Sequence, residues 1–249
     1  MTEAAFIQLP GAADAGWLLT CDHARNAVPS EIGDLGLAEK DMMRHIAYDV
    51  GAEGLTRALA KELRAPAVMA QFSRLVIDPN RGEKDPTLLM KLYDGTIIPA
   101  NRYADAPERA RRVAAYHHPY HAAITDMMAT YSTAALLAVH SFTPQLRGRA
   151  PRPWHVGVLY TPPNPLARRL IDTLGQDSAL CVGDNQPYSG HLPGDSMDRH
   201  GVKTGRAHVL IELRNDLIDT PEAQTVWARR LTPLLNAALE APRNVQIPA

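Results

Sequence analysis

Cysteine is scarce: the 249-residue chain has two, Cys21 and Cys181, far apart and without ligand-like spacing. That excludes a disulfide framework and a CxxC-type metal or redox motif. Each is expected as a buried free thiol in an apolar, strand-like segment. No run of 18 apolar residues occurs, so no membrane-spanning helix is expected. The opening residues 1–6 lack a basic segment followed by an apolar core, so no secretory signal is expected and a cytoplasmic, soluble chain is. Excess charge of either sign is missing too: 26 basic against 27 acidic residues leave a formal net charge of −1, with the arginines scattered among acids. No electrostatic footprint for nucleic acid or an anionic membrane results. There is no Gly-x-Ser-x-Gly elbow and no glycine-rich phosphate loop. Serine-hydrolase and nucleotide-binding chemistries therefore lack their marks. Internal repeats and low-complexity tracts are also absent.

An apolar fraction of 45% in a chain of this length suits one domain spanning residues 1–249. After an irregular start, residues 16–21 read as a strand. Residues 37–63 read as mostly helical, with Gly51 and Gly54 weakening the middle, so that the helix begins near Asp49 as a cap. Short strands follow at 67–71 and 74–77. Residues 82–105 form a long excursion, a lid or substrate loop. Pro107 opens a helix to about Tyr131 that Pro119 should kink or break. Strands at 134–139 and 155–160, a helix at 167–174, a polar loop at 184–206 and a strand at 207–213 come next. The chain closes in a helix over 221–239 with Val226, Leu231 and Leu234 inward. Alternating strands and helices indicate α/β with a largely parallel sheet.

Three apolar runs end in chemistry. Residues 17–21 lead into Asp22-His23, residues 134–139 into His140-Ser141, and residues 207–211 into Glu212. Such runs suit strands buried on both faces, and ligands bind outside the carboxyl ends of such strands. One rim would then receive two imidazoles and a carboxylate, the inventory of a hydrolytic zinc site. Taken singly, each histidine is better explained as a polar residue at the start of a loop; as a pair with Glu212 they point to a site. Asp49 is a third candidate ligand, sharing a helix face with His45 at i, i+4, or else only a helix cap. Glu212, in so apolar a strand, is either a general base with a raised pKa or a core carboxylate paired with Arg74, Arg206 or Arg214. Arg74, Asn80 and Arg81 suit bidentate capture of a carboxylate, or a structural salt bridge. His117, His118 and His121 are read as groups that support the site from behind or pack, with Pro119 presenting Tyr120 or His121 inward, rather than as ligands, and Cys21 as core rather than nucleophile.

Seven segments resemble the N-formylglutamate amidohydrolase family: residues 21–29 (CDHARNAVP), 45–52 (HIAYDVGA), 73–81 (SRLVIDPNR), 116–121 (YHHPYH), 140–144 (HSFTP), 185–190 (NQPYSG) and 211–216 (IELRND). The likeness covers roughly residues 15–240. It implies a three-layer α/β/α fold with a mostly parallel or mixed central sheet, like that of zinc-dependent carboxypeptidases and succinylglutamate desuccinylases. It also implies a divalent metal, zinc by preference, on His23, Asp49 and His140, and hydrolysis of an N-acyl bond. In the wider group the first ligand motif is His-x-x-Glu. Here it reads His23-Ala24-Arg25-Asn26, which makes Asp49 the better oxygen ligand than Asn26. Glu212 and Arg74 become the catalytic pair, and Asn80, Arg81, Tyr188 and Arg206 the substrate contacts. The family's best-known reaction releases formate from N-formyl-L-glutamate in histidine degradation, so the expected partner is a small N-acylated amino acid. The alternatives are an amidase or carboxypeptidase on peptide or cell-wall fragments, which needs an open groove, and a metal-free binding homologue. The sequence sets no oligomeric state.

Overall fold

Along one strand, Ala135–Phe142, Leu136 and Ala138 enter one apolar core while Leu137 and Val139 enter another on the opposite face. Period-two alternation with both sides apolar is what a sheet sandwiched between helices demands. The computed structural model describes residues 4–240. Its strands are β1 (Phe6–Leu9), β2 (Trp17–Cys21), β3 (Ala67–Ala70), the hairpin β4 (Leu92–Tyr93) and β5 (Thr96–Ile97), β6 (Ala135–Phe142), β7 (Val156–Leu159), β8 (Val182–Asp184) and β9 (His208–Arg214). Seven of them form one sheet in the order β1-β3-β2-β6-β9-β7-β8. The inner strands β3, β2, β6 and β9 run parallel, whereas β1 and β7 pair antiparallel with β3 and β9. The sheet is thus mixed, and its parallel centre carries the three chemistry-bearing runs side by side.

The helices are α1 (Glu39–Met42), α2 (Ala52–Glu62), α3 (Pro99–Arg102), α4 (Ala106–Arg112), α5 (His118–Thr130), α6 (Pro165–Leu174) and α7 (Pro221–Glu240). Leu55 and Leu59 of α2, Leu166 and Leu170 of α6, and Trp227, Leu231 and Leu235 of α7 cover one sheet face. On the other face, Tyr120, Ile124 and Met128 of α5 pack against Leu18, Val68 and Leu136. The three-layer α/β/α arrangement follows. No helix among the described residues is long and apolar enough to cross a membrane.

Several local expectations need correction. Residues 74–77 form a turn instead of a strand. Ser73 Oγ donates to Ala47 O at 2.7 Å and accepts from Leu75 N at 3.1 Å, so the hydroxyl offers the backbone an alternative to a ladder. Leu75, Val76 and Ile77 are fully buried all the same, and burial without periodicity imitates a strand. The helix expected over 37–63 is two: α1 ends at Met42, the chain turns through residues 43–51, and α2 starts at Ala52. Its N-cap is Gly51, at φ +80°, where any Cβ would also lie 2.2 Å from Ile218 O. Pro119 does not end the helix. Its ring removes an N–H, the preceding residues widen into a π turn (Val113–His117), and α5 resumes beyond. β1 and β8, short edge strands without continuous apolar runs, were not expected. In α7, Val226 points to solvent at 63% exposure and Leu234 is half-buried, while Trp227, Leu231 and Leu235 make the inward stripe. Cys21 is buried as expected; Cys181 is only partly so.

Candidate active site

His23 follows the carboxyl end of β2, and His140 lies near that of β6, its neighbour in the sheet. Asp49 is brought between them by a backbone bond from its N–H to His23 O (2.9 Å) and by the turn at Gly51. Its Oδ2 lies 3.2 Å from His23 Nδ1 and 2.8 Å from His140 Nδ1, and one ligand atom from each of the three residues falls within 4.8 Å of the others. The carboxylate turns to the histidines, so Asp49 is not a side-chain helix cap. Nor does it share a helix face with His45, which stands on the intervening turn, with Nε2 3.4 Å from Asp94 Oδ2. Asn26 takes no part, since its amide donates to Met42 O at 2.9 Å.

The far nitrogens decide the tautomers. His23 Nε2 donates to Asp78 Oδ1 (2.8 Å) and His140 Nε2 donates to Asp22 Oδ2 (3.0 Å). A neutral ring protonated at Nε2 presents a lone pair at Nδ1, and both Nδ1 atoms face an oxygen of Asp49. Carboxylate partners of this kind orient metal-ligating histidines and raise their basicity. Asp22 also accepts from Tyr120 Oη (2.7 Å) and Ser196 Oγ (2.9 Å), and Asp78 is gripped by Arg74 Nη2 at 2.7 Å. Sequence reasoning did not assign these roles to Asp22 and Asp78. Their place at strand or turn ends beside His23 and Arg74 was the available signal.

The electrostatics agree. Burial would raise the carboxyls of Asp22, Asp49 and Asp78, yet hydrogen bonds and nearby positive charge bring Asp22 down to about 2 and the other two well below the usual range. Burial opposes charge on His140, but its bonds to Asp22 and Asp49 lift it well above the ordinary imidazole value. Arg74, paired mainly with Asp78, is raised. All these groups are buried. Three ionised carboxylates against one guanidinium draw positive charge into a low-dielectric interior, and the raised basicity of His140 lets a proton supply part of it. Uncompensated buried charge is costly. A divalent cation among the three facing atoms would replace that proton and balance the carboxylates, so the donor set fits such an ion.

Glu212 stands across from His140 in register on β9. Burial pushes it up to about 7, the pull of His140 notwithstanding, and its Oε2 is buried without a hydrogen-bond partner. No arginine lies within ion-pair distance of it among the described residues, which removes the paired-core alternative. Opposite it on β7, Gly157 has no side chain, and this lets the Gln186 carbonyl approach to 2.0 Å of where a Cβ would be.

These groups line one pocket of about 130 Å³ with Asn80, Arg81, Tyr93, Tyr188 and Asp195. Arg81 donates to Thr87 Oγ1 (3.1 Å) and Asn80 O (2.7 Å) and has no carboxylate within ion-pair distance among the described residues. Asn80 Oδ1 accepts from Ser196 N at 3.2 Å, which leaves its Nδ2 hydrogens for the pocket. Arg74 also lines the pocket, but its fork is committed to Asp78, with Nη1 3.5 Å from Asp49 Oδ1. Tyr188 Oη accepts from Arg152, whose guanidinium lies 4.9 Å from the Tyr188 ring centre. Arg206 is a correction: its guanidinium donates to Met128 O, Tyr131 O and Ala134 O at the end of α5, away from the pocket. Cations at a helix C-terminus satisfy such orphan carbonyls. A second group, Glu83, His117 and His118, has metal-ligand spacing too, but Arg199 stands 3.8 Å from Glu83 and opposes a cation there.

Among known proteins, the chain resembles in structure a gene product of Agrobacterium tumefaciens, at 31% identity and a TM-score of 0.90 over 96% of each chain. An N-formylglutamate amidohydrolase from Ralstonia eutropha JMP134 shares the fold, with 22% identity and a TM-score of 0.73 over 95% of this chain and 97% of that one. No curated protein matches the sequence. Residues 15–219 match the N-formylglutamate amidohydrolase family, and the motifs at His23, Asp49, His140 and Glu212 all fall within that span. The chain belongs to the N-formylglutamate amidohydrolase family and is a hydrolase.

Proposed function

We propose that the whole chain is one catalytic domain, a cytoplasmic metal-dependent amidohydrolase that removes the acyl group, formyl above all, from a small N-acylated amino acid such as N-formylglutamate. One observation carries the metal: His23 Nδ1, His140 Nδ1 and Asp49 Oδ2 face one another with both Nε2 protons already donated to carboxylates. His23, Asp49 and His140 would hold a divalent ion, zinc by preference for nitrogen and oxygen donors. When bound, such an ion polarises the scissile carbonyl and brings the pKa of water towards ~7.

Glu212 takes the proton of the attacking water and returns it to the departing amide nitrogen. A raised pKa places it near the operating pH, which suits both transfers. Arg74, fixed by Asp78, acts on the developing oxyanion as a stationary charge. Arg81 with Asn80 holds the α-carboxylate and turns binding into orientation, and Tyr188 closes the side of the pocket nearest Arg152. The small pocket favours a single amino acid over a peptide or cell-wall strand. Three facing donor atoms, with each imidazole backed by a carboxylate, favour a metal enzyme over a metal-free binding protein.

The test is metal analysis of the purified protein, followed by a screen of N-formyl, N-acetyl and N-succinyl amino acids with zinc, cobalt and manganese. Chelation should abolish turnover and metal should restore it, with formyl substrates fastest. Full activity in a metal-stripped enzyme would overturn the metal assignment. Preference for peptides would overturn the substrate.

A further inference from the structure

Two histidines outside the pocket grip the backbone that builds it. His117 ends the π turn between α4 and α5, and His121 stands one helical turn later. His117 Nε2–H donates to Arg81 O and His121 Nε2–H to Pro79 O, both at 3.0 Å, with the rings 4.4 Å apart. A residue spacing of four on the helix thus matches a spacing of two on the turn closed by Arg81 N and Asp78 O (3.2 Å). Behind them, His200 Nε2 donates to His121 Nδ1 at 2.9 Å. All three rings are buried, and burial lowers their basicity, which keeps them neutral and their donor directions set.

The gripped segment links the two halves of the site. Asp78 holds His23 Nε2, Asn80 N donates to Asp78 Oδ1 (2.9 Å), and Arg81 faces the pocket. Arg81 itself has few anchors: Thr87 Oγ1 and its neighbour's carbonyl. Where its guanidinium points therefore depends on where its backbone is held. Four residues apart at the opening of α5, His117 and His121 lie on the same side of the helix.

We infer that His117 and His121 are positioning residues for the substrate-carboxylate clamp, fixing the Pro79–Arg81 backbone through paired imidazole–carbonyl hydrogen bonds. This rests on the reading of Arg81 as the clamp.

Two measurements test it. The first needs no substrate: hydrogen exchange of residues 78–82, followed by mass spectrometry. His117→Leu and His121→Leu should speed exchange there while the sheet stays protected. His117→Gln and His121→Gln keep a donor near the Nε2 position and should restore slow exchange. The second is kinetic. With N-formyl-L-glutamate, His117→Leu should raise KM about 10-fold, the scale of one lost buried hydrogen bond, with kcat changed less than ~3-fold. The KM for the corresponding α-amide, which has no carboxylate to clamp, should stay put, and His117→Gln should recover most of the loss. Unchanged exchange in the Leu variants overturns the positioning role, whatever the substrate. So does an equal loss on acid and amide, the mark of a merely structural residue. Faster exchange in the Leu variants, with wild type turning over acid and amide alike, overturns the clamp and leaves the positioning role standing.

Discussion

His140 and Glu212 face each other in register across β6 and β9, so the imidazole and the buried carboxylate leave adjacent parallel strands on the same side of the sheet. That side is also the one into which Leu136, Ala138 and Leu210 pack. A base next to a candidate ligand is thus a consequence of strand pairing rather than of loop conformation.

Glu212→Gln keeps the shape and removes the base. We expect a folded variant that retains metal and substrate binding, with kcat lower by ~10²–10⁴-fold. Burial raises the Glu212 carboxyl to about 7, and only its ionised form accepts a proton. Wild-type kcat/KM should therefore fall as pH drops through and below that value, with a bound cation shifting the limb lower. The variant should lack this limb. Near-normal kcat in the metal-loaded variant would assign the base elsewhere.

His140→Ala and Asp49→Asn should lose stoichiometric divalent metal, whereas Asn26→Ala should keep it, because the Asn26 amide is turned to Met42 O. Asp22→Asn and Asp78→Asn leave the three facing atoms intact but loosen the imidazoles. Their metal affinity should drop ~10–100-fold. Dialysis against graded zinc, read by elemental analysis, ranks all five. Greater loss in Asn26→Ala than in Asp49→Asn would reverse the oxygen-ligand choice.

Arg81→Lys keeps the charge and discards the planar fork. KM for substrates with a free α-carboxylate should rise, kcat should change little, and amidated substrates should be poor for wild type and insensitive to the change. Equal turnover of acid and amide by the wild-type enzyme rules out the clamp.

Arg152 is stacked near the rings of Phe142 and Tyr188, bonded to Thr143 O and Tyr188 Oη, and has no carboxylate within ion-pair distance among the described residues. Arg152→Gln should raise KM more for an N-formyl amino acid with an acidic side chain than for its neutral counterpart. A parallel rise for both would mean that Arg152 only supports Tyr188.

Stability should fall in mild acid through the buried histidine pair. Burial lowers His200 from 6.5 to about 4, with Arg199 and His117 adding to the effect and Asp22 opposing it, and burial lowers His121 as well. Unfolded chains bind the proton first, so this contribution is fully present above pH ~6.5 and is lost as pH falls towards ~4. For His200 alone the loss is about 3 kcal/mol. Urea midpoints between pH 7 and 4.5 measure it, and His200→Gln should flatten the slope. An equally steep slope in that variant would place the titration elsewhere.

Much of the site is legible along the chain. His23, His140 and Glu212 stand out because each ends or interrupts an apolar run, and such runs, when parallel, finish at one rim. The alternation of strands and helices likewise announces an α/β sandwich. Where apolar residues run without period, as at Leu75-Val76-Ile77, burial alone did not distinguish turn from strand.

What the sequence by itself determined is the kind of chemistry: imidazoles and carboxylates at strand ends, no serine elbow, no phosphate loop, no thiol pair. Only the tertiary structure decided which groups meet. Asp49 becomes the third facing atom because the turn at Gly51 folds it back onto His23, while Asn26, three residues from His23, turns away to Met42. Asp22 and Asp78 become the partners of His140 and His23 across separations of 118 and 55 residues. Arg206, so near β9 in the chain, is drawn instead to the open carbonyls at the end of α5. Patterns along a chain record local periodicity and burial. Pairings across it are set by which strands lie side by side and which carbonyls need a donor.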